Sequence, residues 1–207
     1  LAYVSSLSDY SFPGLSLPMN FLSYTHPVLS CQEAKALESC VLVDEAAEWA
    51  AMKLAGQGIA KHLVQDYAEL RSPPEYLRIL ALIGKGNNGG DALIACGQLL
   101  ADFPRARVEL ILTLPSEELR PLAARALQQL EGRVEVHQIS DQNDVSEITQ
   151  VLSDAAGSEG FHICIDGLLG MAFSPPLCAP IATLIEAVNT FEAIDLRASV
   201  DLPSGKG

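Results

Sequence analysis

The chain has 207 residues, of which 49% are hydrophobic and 19% charged, and 13 Lys and Arg stand against 26 Asp and Glu for a formal net charge of −13 at pH 7. That composition suits one domain with a sizeable core and excludes a disordered chain. The basic residues are scattered without a run, which argues against nucleic acid, and the acidic balance argues against an anionic membrane surface.

Five cysteines occur, at Cys31, Cys40, Cys96, Cys164 and Cys178, with wide spacings and no C-x-x-C pair. Cys96 and Cys164 lie in apolar segments, as buried reduced thiols do. This usage fits a reducing compartment, so a cytoplasmic location is expected. The histidines His26, His62, His137 and His162 form no metal-like cluster in sequence. No apolar run reaches the ~18 residues that span a bilayer. A basic segment followed by an apolar one is missing at the start, so no signal peptide is expected.

Residues 1–28, rich in Ser, Pro and aromatics, read as an arm or linker, and 29–207 as one domain. Ser30 and Glu33 have capping-box spacing, which predicts a helix start there. A second helix is expected from Val43 through Lys53. Its Ala46, Ala47, Ala50, Ala51 and Ala55 form a small-residue surface for close helix packing, within the domain or across a dimer, or simply reflect helix propensity. Gly56 and Gly58 are expected to interrupt it. A third helix then covers Ile59–Leu70, ended by Ser72-Pro-Pro74. Tyr76–Ile83 is a nearly continuous apolar run, the mark of a strand buried on both faces. Gly84–Asp91 (GKGNNGGD) reads as a turn and Ala92–Ala101 as a helix. Arg107–Leu114 is the second strand, and a helix runs from Ser116 to Leu130. Val134–Ile139 is a strand, Asp144–Ala156 a helix, Phe161–Asp166 a strand and Pro180–Asn189 a helix. Leu196–Leu202 is the last strand.

Strands alternating with helices predict an α/β, Rossmann-like three-layer sandwich with a mostly parallel sheet, preceded by N-terminal helices. Ligands in such sheets sit outside the carboxyl ends of the strands. Three of those ends carry unusual chemistry: GKGNNGGD, Asp166-Gly-Leu-Leu-Gly170 and Asp201-Leu-Pro-Ser-Gly205. All three should share one edge.

Gly84-Lys-Gly-Asn-Asn-Gly89 matches G-x-G-x-x-G. Its glycines permit positive φ and close backbone approach, and backbone N–H groups at a helix start favour an anion such as a phosphate. A dehydrogenase-type domain would place an acidic residue at the second strand's tip, but Thr113-Leu-Pro115 stands there. A Walker loop would follow its last glycine with Lys-Ser/Thr, but Asp91-Ala92 follows Gly90. Asp91 reads either as a helix N-cap or as a ligand group. Oxygens from Asn88, Asp166 and Ser204 carry a single carboxylate, which suits a weakly bound monovalent cation better than a divalent one. Ser204 lacks a G-x-S-x-G setting, which argues against a nucleophile.

These motifs, with Pro176-Leu177, Ile185–Asn189 and Val200-Asp-Leu-Pro-Ser-Gly205, resemble the YjeF N-terminal domain, the NAD(P)H-hydrate epimerase family. The likeness covers roughly residues 30–205. It implies interconversion of the R and S hydrates of NADH and NADPH. Carried over by motif, Asn87, Asn88, Gly89, Gly90, Asp91, Asp201 and the loop Gly170, Met171, Ala172, Phe173, Ser174, Pro175, Pro176 would hold the hydrate. Asn88, Asp166 and Ser204 would bind a potassium ion. Loss of the C6 hydroxyl beside ring nitrogen N1 would give an iminium, and Asp201 is the expected acid–base residue. The resemblance also implies a homodimer, a fused or partner hydrate dehydratase, and further strands beyond Gly207. Ala92 stands where the family usually has a third glycine, and Met171-Ala172 also departs from its pattern. A second reading is an inactive YjeF-type scaffold that keeps fold and pocket, and a third is a nucleotide-dependent transferase.

Overall fold

The apolar run ahead of the glycine turn forms the central strand of a five-stranded sheet, and helices cover both of its faces. The computed structural model describes residues 29–171 and 173–205. The arm expected over 1–28 lies outside the described residues, as do Ala172, Lys206 and Gly207. In chain order the elements are α1 (Cys31–Val41), α2 (Glu45–Leu70), β1 (Arg78–Ile83), α3 (Asn87–Asp102), β2 (Arg107–Leu112), α4 (Pro121–Gln128), β3 (Glu135–Gln138), α5 (Val145–Ala156), β4 (Phe161–Gly167), α6 (Ile181–Thr190) and β5 (Ile194–Ser199). The strand order is β3-β2-β1-β4-β5 and every pairing is parallel. This is the α/β three-layer arrangement the alternation of elements predicts.

The two faces follow from the period of two along a strand. Ile79, Ala81 and Ile83 of β1 pack with α2, α3 and α4, while Leu80 and Leu82 pack with α5 and α6. Val108, Leu110 and Leu112 extend the first cluster, and Ile111 joins the second. The same register places the ends of β1, β4 and β5 side by side.

Helix starts follow their caps. Ser30 and Glu33 make both bonds of a capping box, and Asp144 and Glu147 make a second one at α5. Asp44 accepts from the Ala47 N–H at 2.8 Å and starts α2.

Four differences from the sequence reading bear on the packing or the site. Gly56 and Gly58 do not interrupt the second helix, and α2 runs unbroken for 26 residues. Gly56 is buried where α2 crosses α3, and a Cβ there would come 2.5 Å from the Ile94 Cβ. Its glycine is spent on interhelical approach, so the residues that bury the helix are Trp49, Met52, Gly56, Ala60, Leu63 and Tyr67. Ala46 and Ala50 are exposed. The helix expected from Ser116 is a short 3-10 turn over Ser116–Glu118 followed by α4, because Pro121 lacks an N–H and begins a new helix. The helix expected from Ala92 starts five residues earlier, at Asn87. The last strand ends at Ser199, and the chain from Val200 to Gly205 turns back over the end of β4.

Arg125 of α4 stacks over the Trp49 ring of α2 at 4.2 Å, a cation–π contact across the helix layer. At the opposite sheet edge, the Tyr67 hydroxyl donates to Asp195 at 2.9 Å and Arg71 pairs with the same carboxylate at 3.2 Å. Burial and that carboxylate push the Tyr67 hydroxyl up to about 12.

Candidate active site

β1 and β4 are neighbours, yet β1 leads outward to β2 and β3 before the chain returns to β4. Such a reversal opens a crevice at the carboxyl ends of the two strands. Gly84 and Gly167 close its floor: the Gly84 N–H donates to the Gly167 carbonyl at 3.2 Å. A Cβ on Gly84 would run into the Leu168 carbonyl, and one on Gly89 into the Gly84 carbonyl. Neither glycine has positive φ. Close approach, not left-handed backbone, is therefore what this turn requires of its glycines.

Gly86 is the N-cap of α3 and no side chain caps that end. Asp91 sits in the helix proper, past its first turn, so the N-cap reading of Asp91 does not hold. The uncapped N–H groups and the helix dipole make this end attractive to an anion. Asn87 is exposed at the rim, Asn88 is half-buried, and Gly89 and Gly90 are buried. Gly90 faces α2, where a Cβ would meet the Met52 methyl at 2.6 Å. Ala92 is fully buried, and a Cβ on Gly167 would stand only 2.7 Å from its Cβ. The methyl that departs from the family pattern is thus absorbed in the floor by Gly167.

The polar side chains converge on one stretch of main chain, Leu168–Met171. Asp166 Oδ1 accepts from the Leu168 N–H at 3.2 Å and from Ser204 Oγ at 2.6 Å, and its Oδ2 accepts from the Ser204 N–H at 2.8 Å. Ser204 Oγ accepts from the Leu169 N–H at 3.0 Å. Asn88 Nδ2 donates to the Leu169 carbonyl at 2.8 Å. Asp201 Oδ2 accepts from the Met171 N–H at 2.9 Å. Gly170 lies between: a Cβ there would overlap Asn88 Nδ2 and stand 2.7 Å from Asp201 Oδ2. A residue with a side chain would push these two groups apart.

Asn88, Asp166, Asp201, Ser204 and Gly170 are therefore together. The rest of the predicted loop is placed more loosely. The Phe173 N–H donates to the Gly170 carbonyl at 2.9 Å, and Ser174, Pro175 and Pro176 are exposed, with no described hydrogen bond to the polar set. The backbone of Leu168 and Leu169 as the common hub went unread in the sequence, since main-chain groups leave no residue signature there. The glycine at 170 was the available signal.

Asp91 is half-buried on the same edge, and its carboxyl is pushed up to about 7. Desolvation is the main cause, followed by the negative charges of Asp201 and of Glu38 on α1. Glu38 is the second contributor that sequence order did not reveal. Cys96 and Cys164 are buried free thiols, each held near 12 by desolvation, and Cys40 and Cys178 are exposed free thiols. Among the described residues, no helix is long and apolar enough to cross a membrane.

Known proteins share this arrangement of sequence. A family model described as "YjeF-related protein N-terminus" matches residues 49–206. The chain is 30% identical over 182 residues to a protein of Rhodopirellula baltica named NAD(P)H-hydrate epimerase, covering 86% of this chain and 66% of that one. It is 30% identical over 156 residues to the bifunctional NAD(P)H-hydrate repair enzyme Nnr of Salinibacter ruber, covering 74% of this chain and 27% of that protein. The chain thus spans just under two thirds of the first relative and about a quarter of the second. The crystal structure of yeast ynu0 has the same fold, with a TM-score of 0.66 at 21% identity over 87% of this chain and 72% of that one. On the family model and these relatives, the chain belongs to the YjeF-related protein N-terminus family.

Proposed function

We propose that this domain is an isomerase that interconverts the R and S hydrates of NADH and NADPH. One observation carries the reading most. Asn88, Asp166, Asp201 and Ser204, brought from three separate segments, all bind the Leu168–Met171 main chain at the mouth of the switch-point crevice. A neighbouring uncapped helix end offers N–H groups to the anionic part of a dinucleotide. Relatives named NAD(P)H-hydrate epimerase support the choice of substrate.

The reaction needs little machinery. The hydrate carries a hydroxyl on C6, next to ring nitrogen N1. Breaking the C6–O bond leaves a conjugated iminium, and water can return to either face. The protein's tasks are to hold the ring, protonate the departing hydroxyl and guide the returning water. On this reading Asn87, Asn88, Gly170, Met171 and residues 173–176 would line the ring, and Asp91 and Asp201 would exchange protons and charge with it.

Asn88, Asp166 and Ser204 fit a potassium ion. Their donors are oxygens, their formal charge sums to one, and they meet around the same two residues, Leu168 and Leu169. Among the described residues no group of three or more His, Cys, Asp or Glu is placed to hold a metal, so this would be a weakly charged site of a different kind. Bound there, potassium would supply a fixed positive charge that tightens the 168–171 loop.

The assembly belongs to the same proposal. Leu37 and Val41 on α1, Val43 in the link after it and Leu54 in the first half of α2 are exposed at 41–76%, apolar side chains suited to a second copy in a homodimer. The bifunctional relatives support a hydrate dehydratase as a fused or partner activity. The test is chromatographic: incubate a single purified R hydrate with the chain and follow the S form, with potassium and then with lithium in its place. Conversion above the spontaneous rate, faster in potassium, is the expected result.

A further inference from the structure

Three carboxylates stand at the crevice, and their surroundings divide the work among them. Both oxygens of Asp166 already accept hydrogen bonds, from the Ser204 main chain and hydroxyl and from Leu168. Each such bond occupies a lone pair that would otherwise be open to a proton or a ligand. Asp201 has one oxygen held in the same way, by the Met171 N–H. Asp91 differs. Among the described residues no donor binds its carboxyl, yet no buried side-chain oxygen is left without a partner, so its oxygens reach solvent. It is half-buried, on the helix whose N-terminus forms the crevice wall, with Asp201 and Glu38 as its charged neighbours. α2 packs against it through Gly56, whose Cβ would stand 2.8 Å from the Asp91 carbonyl, and against the neighbouring Gly90 through the uncharged Met52.

We infer that Asp91 is the catalytic acid of the epimerisation, and that Asp201 is the fixed carboxylate that anchors the 170–171 loop and faces the cationic ring. This rests on the epimerase reading and goes beyond it by naming the proton carrier. The protonated Asp91 gives its proton to the C6 hydroxyl. The C6–O bond breaks with its electron pair on oxygen, water leaves, and N1 donates its lone pair to form the iminium. Water then adds to the opposite face of C6 and returns a proton to the Asp91 carboxylate. Atoms and charge balance over the cycle, and no further reactant is needed. The negative charge that raises the Asp91 carboxyl, Asp201, is also the charge that steadies the iminium.

The test compares Asp91→Asn, Asp91→Glu and Asp201→Asn with the unaltered chain. A purified R hydrate is used, and spontaneous conversion is subtracted at each pH. The unaltered chain should lose kcat as pH rises through about 7, the value to which Asp91 is pushed. Asp91→Asn should lose kcat by on the order of 100-fold or more and lose that pH dependence with it. Asp91→Glu, which keeps the proton, should recover part of the rate, and Asp201→Asn should raise KM and keep a pH dependence whose midpoint moves down, because a negative charge that raises the Asp91 carboxyl is gone. Folding of each variant is checked by its thermal transition. Near-normal kcat in a folded Asp91→Asn would overturn the assignment, as would loss of the pH dependence in Asp201→Asn alone. Absence of conversion by the unaltered chain would instead overturn the epimerase reading, and this inference with it.

Discussion

Ser204 closes a two-point clasp on Asp166: its hydroxyl donates to Oδ1 at 2.6 Å and its main-chain N–H donates to Oδ2 at 2.8 Å. The pair joins the chain after β5 to the end of β4. The same hydroxyl then accepts the Leu169 N–H at 3.0 Å. The clasp shapes the crevice before any ligand arrives.

Breaking it should be costly from the carboxylate side. Asp166→Asn replaces one acceptor oxygen with an NH2 group facing a donor. A loss of about 2–3 kcal/mol in urea unfolding is expected, the range for a half-buried donor left without its charged partner. Ser204→Ala keeps the main-chain bond and should lose only about 1 kcal/mol. Equal losses in the two variants would contradict the geometry.

Gly170→Ala separates shape from stability. Its methyl would collide with the Asn88 amide and the Asp201 carboxylate, both ends of side chains that can swing away. The melting temperature should therefore change by no more than roughly 2–4 °C, the shift that about 1 kcal/mol gives in a domain of this size. Conversion of the hydrate should fall at least about tenfold, because both groups leave their places. An active Gly170→Ala variant would show that this meeting point is not needed.

Much of this architecture was legible in the residues. The unbroken apolar run of β1 announced a strand covered on both sides, and the capping box of Ser30–Glu33 announced the first helix start. The placement of Asp166, Asp201 and Ser204 on one sheet edge followed from the alternation of elements alone. What stayed hidden depended on neighbours distant in sequence. Gly56 looked like a helix break because its partner, Ile94, lies 38 residues on. Asp91 looked equally suited to a cap, because the true cap, Gly86, offers no side chain to recognise.

The Asp91 carboxyl also predicts a stability profile. Its folded value, about 7, stands above the ordinary 3.8. A raised carboxyl favours the folded state while protonated, so its contribution is complete below pH 3.8 and is lost as pH rises through 7. Asp91→Asn, which cannot ionise, should melt higher than the unaltered chain at pH 8, by roughly 2–4 °C or more. At pH 4 the two should be close. A lower melting point for Asp91→Asn at pH 8 would contradict the burial and charge crowding described for this residue.

His162 works in the opposite direction at the far edge of the sheet. Its Nδ1 accepts the Arg78 N–H at 2.9 Å, which requires a neutral ring, and its ring packs against Tyr67 and Tyr76. Burial lowers its pKa below the ordinary 6.5. Its stabilising contribution is therefore present above pH 6.5 and lost as pH falls through the lowered folded value. In urea titrations, His162→Gln should show a smaller drop in stability between pH 6.5 and 5 than the unaltered chain, and an unchanged drop would show that His162 does not titrate with unfolding.

The most direct test of the whole account remains the fate of one isomer. A purified R hydrate of NADPH, mixed with the 207-residue chain in potassium buffer at pH 7, should approach the equilibrium mixture of R and S forms well ahead of a protein-free control. Equal rates with and without the chain would contradict the assignment of this crevice to hydrate epimerisation.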